Sequence, residues 1–159
     1  GAPSCVSLPM FVLPARARKP AATSARAARG TETVLVAEDS PEVLRMAGSA
    51  LLDAGYQVIE AVDGDDALAK YAANRDRVHL LLLDVIMPKK NGRQVYDAAT
   101  VSRPDIKVLF MSGYTADIID SKRVLAEGHD FLSKPFLPEE LVAAVRAALD
   151  REAPGARRP

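Results

Sequence analysis

The chain has 159 residues, of which 48% are hydrophobic, and its 21 basic and 21 acidic side chains balance. This length suits one domain with tails, and the apolar content is enough for one sizeable core. Residues 31–156 nevertheless hold 14 Lys or Arg against all 21 Asp and Glu, a net charge of −7 that argues against direct binding of nucleic acid.

Two features of the sequence indicate the compartment. Cys5 is the sole cysteine, so an internal disulfide is excluded, as expected for a reducing environment. No apolar stretch reaches the roughly 18–20 residues that a membrane span needs. We therefore expect a cytoplasmic protein whose folded part makes no membrane contact.

Residues 1–30 are predicted to form a leader and linker. Segment 14–30 consists mainly of Pro, Ala, Arg, Ser, Thr and Gly, a composition typical of flexible linkers. A transit peptide has a similar composition, but Pro14 and Pro20 would interrupt the amphipathic helix that such a peptide needs. At the other end, residues 152–159 are predicted to form a flexible tail.

The first predicted unit is a strand over Thr33–Ala37 followed by a helix. Ser40 is a typical N-cap residue, Pro41 fits the first helical turn, and Gly55 is placed to end the helix. Between them, apolar residues recur at helical spacing. These residues are Val43, Ala47, Ala50, Leu51 and Ala54.

The second and third units repeat this order. Tyr56–Ala61 is predicted to be a strand and Asp63–Asn74 a helix with acidic residues in its first turn, where the helix dipole favours them. Val78–Leu83 is almost wholly apolar, which is typical of a strand buried on both faces. After the Pro- and Gly-containing segment MPKKNG, a helix is predicted over Arg93–Val101.

The last two units complete the alternation. Ile106–Met111 is predicted to be a strand, Thr115–Glu127 a helix stopped by Gly128, and Phe131–Leu132 a short strand. A final helix is predicted from Pro138 onward. Its apolar stripe consists of Leu141, Val142, Val145 and Leu149. Five strand–helix units in regular order predict a doubly wound α/β fold, with a five-stranded parallel sheet and helices on both faces.

Polar side chains follow four of the predicted strands at the points where the strands end. Glu38 and Asp39 follow the first strand, Asp84 the third, Ser112 the fourth and Lys134 the fifth. Open parallel sheets bind ligands beyond the carboxyl ends of their strands. Each residue alone has an ordinary explanation, such as a cap, a strand end or a surface lysine. Because all five are predicted at one sheet edge, we interpret them as a site.

The chemistry of these residues favours phosphoryl transfer. Crowded carboxylates repel one another, and Mg²⁺ relieves this while binding one or two of them and retaining waters. A carboxylate can attack phosphorus to give an acyl phosphate. We predict Asp84 as the nucleophile because it ends the most buried strand. Lys134 would neutralise phosphoryl oxygens and Ser112 would donate a hydrogen bond to one of them.

Four segments, VLVAED, LLLLDVIMPKKNG, VLFMSGYT and FLSKPF, resemble response-regulator receiver domains. The resemblance runs from about Thr31 to Asp150, and we place the domain at residues 31–151. It implies a flavodoxin-like receiver fold with sheet order 2-1-3-4-5 and five helices. It also implies that Asp84 accepts a phosphoryl group from the phosphohistidine of a histidine kinase or a histidine phosphotransferase.

The same resemblance assigns further roles. It implies that Mg²⁺ is held by Glu38, Asp39, Asp84 and the backbone carbonyl of Ile86. It places Ser112 and Lys134 at phosphate-sensing positions. Phe131 lies at the position of a switch aromatic, although a core phenylalanine explains it equally well. Tyr114 lies where the dephosphorylation rate is commonly tuned, and it would either shield the acyl phosphate or merely cover the site.

Two of the motifs indicate what kind of protein the domain belongs to. SGYT and KPF-x-P-E-x-L look most like receivers at the C-terminus of hybrid sensor histidine kinases, and SLPMFVLPA in the leader looks like the closing strand of a kinase ATP-binding domain. A stand-alone single-domain regulator is the alternative. As an isolated domain the chain is predicted not to be an enzyme, apart from self-catalysed phosphotransfer and dephosphorylation. A phosphorylation-dependent homodimer is compatible with the sequence but not required by it.

Rival classes fit the sequence less well. A phosphatase of the haloacid-dehalogenase type also uses a nucleophilic Asp, but it needs a second Asp two residues later, where this chain has Ile86. A receiver-like module used only for protein binding would not need Asp84, Ser112 and Lys134 together. A nucleotide-binding fold is disfavoured because no glycine-rich phosphate-binding motif follows the first strand.

Overall fold

The computed structural model describes residues 29–113 and 129–151. Several predictions fall on residues outside these ranges: most of the leader, Tyr114, the helix over Thr115–Glu127 and the tail at 152–159. The described ranges include all five predicted strands and the four remaining predicted helices.

The described elements alternate as the sequence predicts. The strands are β1 (Thr33–Ala37), β2 (Gln57–Ala61), β3 (Val78–Asp84), β4 (Lys107–Ser112) and β5 (Asp130–Ser133). The helices in the described ranges are α1 (Pro41–Asp53), α2 (Gly64–Asn74), α3 (Gly92–Ser102) and α4 (Pro138–Asp150). None of these helices has both the length and the apolar character that a membrane span requires.

The five strands form one parallel sheet in the order β2-β1-β3-β4-β5. The predicted α/β class and strand order are therefore confirmed. β3 lies at the centre, and its residues 80–83 are fully buried. Burial of one such leucine stabilises the fold by roughly 1.5–3 kcal/mol. Burial on both faces explains why residues 80–83 of the central strand are all apolar.

The sheet separates two hydrophobic clusters. On one face, side chains of β1 and β3 pack against α1 and α4, for example Leu82 with Leu51 and Leu141. On the other face, Leu81 and Leu83 of β3 belong to a cluster with residues of α2 and α3. The predicted stripe of α4 is confirmed, because all four of its apolar residues are buried. Helices therefore pack on both faces of the sheet.

The ends of the first two helices can be compared with the boundaries and capping residues that the sequence predicts. Ser40 occupies the N-cap position before Pro41, but its side chain makes no capping hydrogen bond. The backbone N–H of Ser40 donates a hydrogen bond to Glu38 Oε1 at 3.0 Å. α2 begins one residue later than predicted, because Asp63 is its N-cap and accepts from the Asp66 N–H at 2.8 Å. Gly55 ends α1 with a φ of +99°, as predicted.

At the end of the sheet where the strands begin, Arg146 of α4 ties several segments together. Its guanidinium donates to Glu32 Oε2 at 2.7 Å, to the Tyr56 hydroxyl at 3.3 Å and to Asp150 Oδ1 at 2.8 Å. It also donates to the carbonyl oxygen of Arg29 at 3.5 Å. The segment just before β1 is thereby attached to the last helix.

Candidate functional site

The carboxyl edge of the sheet brings together the five polar residues that the sequence predicts there. Glu38 and Asp39 directly follow β1, Asp84 is the last residue of β3, and Ser112 is the last residue of β4. Lys134 directly follows β5. Because all strands are parallel, these positions meet at one edge.

Three carboxylates form the centre of the site. One oxygen each of Glu38, Asp39 and Asp84 lies within 4.8 Å of the other two. The side chains of Glu38 and Asp84 are buried, with 1% and 4% of the residue surface exposed, while Asp39 is exposed. Two buried acids and one exposed acid therefore lie close enough to share one cation.

Lys134 is the cation within this group. Its Nζ lies 3.2 Å from Asp84 Oδ1 and also donates to Glu38 Oε2. Burial disfavours the charged ammonium, but the two carboxylates outweigh this and raise the pKa of Lys134. One ammonium group thus bridges the two buried acids.

A single ammonium does not balance the site. Burial and the negative charge of Glu38 raise the pKa of Asp84 to about 7, although Lys134 acts in the opposite direction. Two buried carboxylates and an exposed third, with one cation between them, form a set of hard oxygen donors with an excess of negative charge. These residues fit Mg²⁺, which prefers oxygen ligands and one or two carboxylates.

The hydroxyl and aromatic candidates belong to the last two strands, β4 and β5. Ser112 is 3% exposed, and its carbonyl oxygen accepts a hydrogen bond from the Lys134 backbone N–H at 2.7 Å. Phe131 of β5 pairs in register with Phe110 of β4 and packs, half-buried, against the cluster on the α2 and α3 side. This position agrees with a core role for Phe131, and its role in switching stays a prediction.

The loop between β3 and α3 is braced in ways that the sequence analysis did not predict. The Gly92 N–H donates to the carbonyl oxygen of Val85 at 3.0 Å. A Cβ atom at position 92 would overlap the backbone carbonyl of Asp84. Glycine is therefore needed here because the start of α3 packs directly on the end of β3. The glycine in MPKKNG was the available signal, although it was interpreted only as part of a loop.

A second brace comes from the start of α2. A Cβ atom at Gly64 would overlap the carbonyl oxygen of Lys90, so the two loops pack backbone to backbone. Asp63 lies 3.3 Å from Lys89 Nζ, and Asp65 lies 2.8 Å from Lys90 Nζ. Lys89 has a φ of +69°, an uncommon conformation for a residue other than glycine. The segment that carries Ile86 is thus held from both sides.

Comparison with known proteins matches residues 34–146 to the response regulator receiver domain. The probable transcriptional regulatory protein TcrX of Mycobacterium tuberculosis is 35% identical over 119 residues, which cover 75% of this chain and 50% of that protein. Sensor kinase CckA of Brucella abortus is 34% identical over 124 residues, which cover 77% of this chain and 13% of the kinase. The chain therefore spans about half the length of the first relative and a small part of the second.

Solved structures give the same result. The chemotaxis protein CheY4 of Vibrio cholerae has a TM-score of 0.65 and 29% identity, and the match covers 75% of this chain and 99% of that one. A putative response regulator from Chloroflexus aurantiacus has a TM-score of 0.67 and 29% identity, with 77% and 100% covered. Family model, relatives and structures agree with the predicted fold. The chain therefore belongs to the response regulator receiver domain family.

Proposed function

We propose that this domain accepts a phosphoryl group on Asp84 from the phosphohistidine of a histidine kinase or histidine phosphotransferase, and that this modification switches its conformation to relay a two-component signal. The observation that supports this most directly is the position of Asp84. Its carboxylate is buried, lies 3.2 Å from the Lys134 ammonium, and lies within 4.8 Å of two further acids. That arrangement combines a nucleophile with the charges needed to bind what it receives.

Mg²⁺ is the cofactor that we propose for this site. Glu38, Asp39, Asp84 and the backbone carbonyl of Ile86 are the groups proposed to hold it. When bound, the ion neutralises the negative charge that accumulates on the phosphoryl oxygens. The excess of carboxylates over ammonium groups supports this assignment, because the site is otherwise short of positive charge.

Asp84, Lys134, Ser112 and Phe131 would each have a separate role in phosphoryl transfer and in the switch. A carboxylate oxygen of Asp84 forms a bond to phosphorus while the phosphorus–nitrogen bond of the donor histidine breaks, and the histidine leaves with the electron pair. Lys134 transfers its contact from Asp84 to a phosphoryl oxygen. Ser112 donates its hydroxyl to another oxygen and, with Phe131, passes the change to β4 and β5. Burial of Asp84 limits the access of water to the acyl phosphate.

Several finer assignments belong to this proposal. The domain would not be an enzyme for an external substrate, and its partners would be the phosphodonor and, when phosphorylated, a second copy. We retain a hybrid histidine kinase as the parent protein, supported by the SGYT and KPF motifs, with a stand-alone regulator as the alternative. The relatives include both a sensor kinase and transcriptional regulators. The cytoplasmic location and the role of Tyr114 stay predictions.

The proposal is tested by treating the protein with acetyl phosphate and Mg²⁺ and mapping the modification by mass spectrometry. We expect one phosphate, labile in base, on the wild-type chain and none on Asp84→Asn. Asp76→Asn is the control, since it removes an exposed acid that, among the described residues, pairs only with its neighbour Arg75, and it should leave the modification intact. Equal labelling of wild type and Asp84→Asn would overturn the proposal.

A further inference from the structure

Residues 29–32, which we call the entry strap, lead into β1 and contact two helices that pack on the same face of the sheet. The Gly30 N–H donates to the carbonyl oxygen of Ala54, just after α1, at 3.3 Å. Arg146 of α4 donates to Glu32 Oε1 at 3.2 Å and to Glu32 Oε2 at 2.7 Å. The entry strap is therefore attached to the end of α1 on one side and to α4 on the other.

The contact is closest at Gly30, where backbone packs without an intervening side chain. A Cβ atom at position 30 would overlap Cε1 of the Tyr56 ring and would lie 2.7 Å from Arg146 Nη1. A Cβ atom at Gly55 would lie 2.6 Å from the carbonyl oxygen of Gly30. Tyr56 is 2% exposed, and the entry strap covers one edge of its ring. We refer to Gly55, Tyr56 and Arg146 as the strap cleft.

The forces that hold the entry strap differ from those that hold the core. Its sequence, Arg-Gly-Thr-Glu, contains no large apolar side chain, so its attachment depends on hydrogen bonds and on the ion pair with Arg146. Residues 34–37 of β1, by contrast, are fully buried. Segments with few buried apolar contacts open at a lower free energy than core strands do. The boundary between a segment that opens and a strand that stays paired therefore falls at the start of β1.

Arg146 keeps a partner when the entry strap leaves. Asp150 Oδ1, one helical turn further along α4, accepts from the Arg146 Nε at 3.1 Å and from its Nη2 at 2.8 Å. Breaking a half-buried ion pair is costly when one member is left unpaired. Asp150 avoids this cost for the guanidinium, and the Glu32 carboxylate becomes hydrated. Release of the strap therefore leaves no unpaired charge on α4.

From these contacts we infer that the entry strap is a latch, which leaves the strap cleft while the sheet and α4 remain folded. With the latch closed, the backbone at residue 29 is fixed beside α4. With the latch open, residues 29–32 turn about the start of β1, and the ring edge of Tyr56 meets solvent. Because Arg146 makes the closing contact, the position of α4 controls how the chain enters the domain. The latch is independent of the proposed phosphoacceptor role of Asp84.

The first test follows amide hydrogen exchange in the full chain at increasing urea concentrations below the unfolding transition. We expect the Gly30 amide to be protected, to exchange at least about tenfold faster than the Leu82 amide of β3, and to depend little on urea, because its opening exposes little surface. Exchange at Leu82 should rise with urea, since it requires unfolding of the domain. An unprotected Gly30 amide, or a urea dependence equal to that of Leu82, would overturn the inference.

The second test changes the α4 side of the latch. Arg146→Met keeps much of the side-chain stem but removes the guanidinium, and it should raise the exchange rate at Gly30 about tenfold or more. Asp150→Asn is the control, since it changes another partner of Arg146 and leaves the contacts to the entry strap in place. Its rate should stay within about twofold of wild type. Equal rates in Arg146→Met and wild type, or equal acceleration in the two variants, would contradict a latch closed by Arg146.

The third test changes the strap side and reads out the strap cleft directly. Tetranitromethane nitrates tyrosine beside its hydroxyl, at the Cε position that Gly30 covers in Tyr56. We expect Gly30→Ala to be nitrated at Tyr56 about tenfold faster than wild type, measured by peptide mass spectrometry, because the new methyl group holds the strap out of the cleft. Thr31→Ala is the matched control within the strap, since Thr31 is exposed, and it should react like wild type.

Tyr71 of α2, which is 3% exposed, is the internal reference for this experiment. Its nitration should be the same in Gly30→Ala as in wild type. If nitration of Tyr56 does not increase, the strap cleft stays covered and the inference is wrong. If Tyr71 becomes reactive to the same extent as Tyr56, the strap opens only with the whole domain, and the inference is wrong as well.

Discussion

At the scale of single residues, Asp84 shows a conflict between burial and charge. The residue is held in a low-dielectric position at the end of the central strand, and burial, together with the negative charge of Glu38, raises its pKa to about 7. A nucleophile must be ionised, yet the protein around it disfavours the ion. Lys134 offsets part of this cost, and a metal ion would offset the remainder.

This conflict predicts how stability depends on pH. The folded pKa of Asp84 lies above its ordinary value of 3.8, so between these values the native state binds more protons than the unfolded chain. Stability from Asp84 is present at low pH and is lost as pH rises toward 7. In metal-free protein, wild type should therefore lose about 4 kcal/mol relative to Asp84→Asn between roughly pH 4 and 8.

Urea unfolding across this range in the presence of a chelator measures the difference. Added Mg²⁺ should stabilise wild type at the high end of the range but not Asp84→Asn, because a ligand stabilises only the state that binds it. Parallel pH profiles for the two proteins would show that the carboxyl of Asp84 titrates normally.

At the scale of elements, the junction of β3 and α3 depends on glycine. We expect Gly92→Ala to destabilise the protein by about 2 kcal/mol or more, because the new methyl group would meet the rigid carbonyl of Asp84. Gly48→Ala is the control. Its methyl group would meet the end of the flexible Glu60 side chain, and alanine favours a helix by about 1 kcal/mol over glycine.

Thermal unfolding of the two variants compares these effects. A loss of stability in Gly92→Ala that is no larger than in Gly48→Ala would mean that the loop after Asp84 can relax. Since that loop contains Ile86, Gly92→Ala should also weaken Mg²⁺ binding, whereas Gly48→Ala should leave it unchanged.

The elements also show what the sequence could and could not predict. The β3 strand was evident because continuous apolar residues suit a strand buried on both faces. The face of α1 was predicted less well, because Leu44 is buried while Val43 and Ala50 are only half-buried. The prediction of Ser40 as the N-cap position of α1 is confirmed, although its side chain makes no capping hydrogen bond.

At the scale of the whole molecule, the convergence of the site was predictable from topology. Parallel strands place their carboxyl ends at one edge, so three acids at two strand ends and a lysine after a third strand had to meet there. The detailed partners were not predictable. Lys134 contacts both Glu38 and Asp84, but sequence alone could not establish which acid holds it. The long-range contacts of Arg146 had no sequence signal, since Glu32 lies 114 residues away.

Those contacts predict a pH effect on global stability. Hydrogen bonds from Arg146 lower the pKa of Glu32 to about 2, against the opposing effect of burial. The stabilisation is present above the ordinary value of 4.5 and is lost as pH falls toward 2. Wild type should exceed Glu32→Gln in unfolding free energy by about 2 kcal/mol at neutral pH, with the difference shrinking below pH 4.5.

Asp150→Asn provides the comparison for this prediction. Asp150 contacts the same guanidinium from one helical turn away but is mostly exposed, so its loss should cost about 0.5 kcal/mol or less. Equal costs for the two variants, measured by urea unfolding, would show that attachment of the segment before β1 contributes nothing of its own.

The position of Arg146 has a consequence for how the domain can be built into larger proteins. Residue 29 and the end of α4 are joined at the side of the sheet where the strands begin, while Asp84 lies where they end. Modules attached through either connection would therefore enter from the rear of the domain. Their size and number could vary between proteins without obstructing the approach of a phosphodonor to the front.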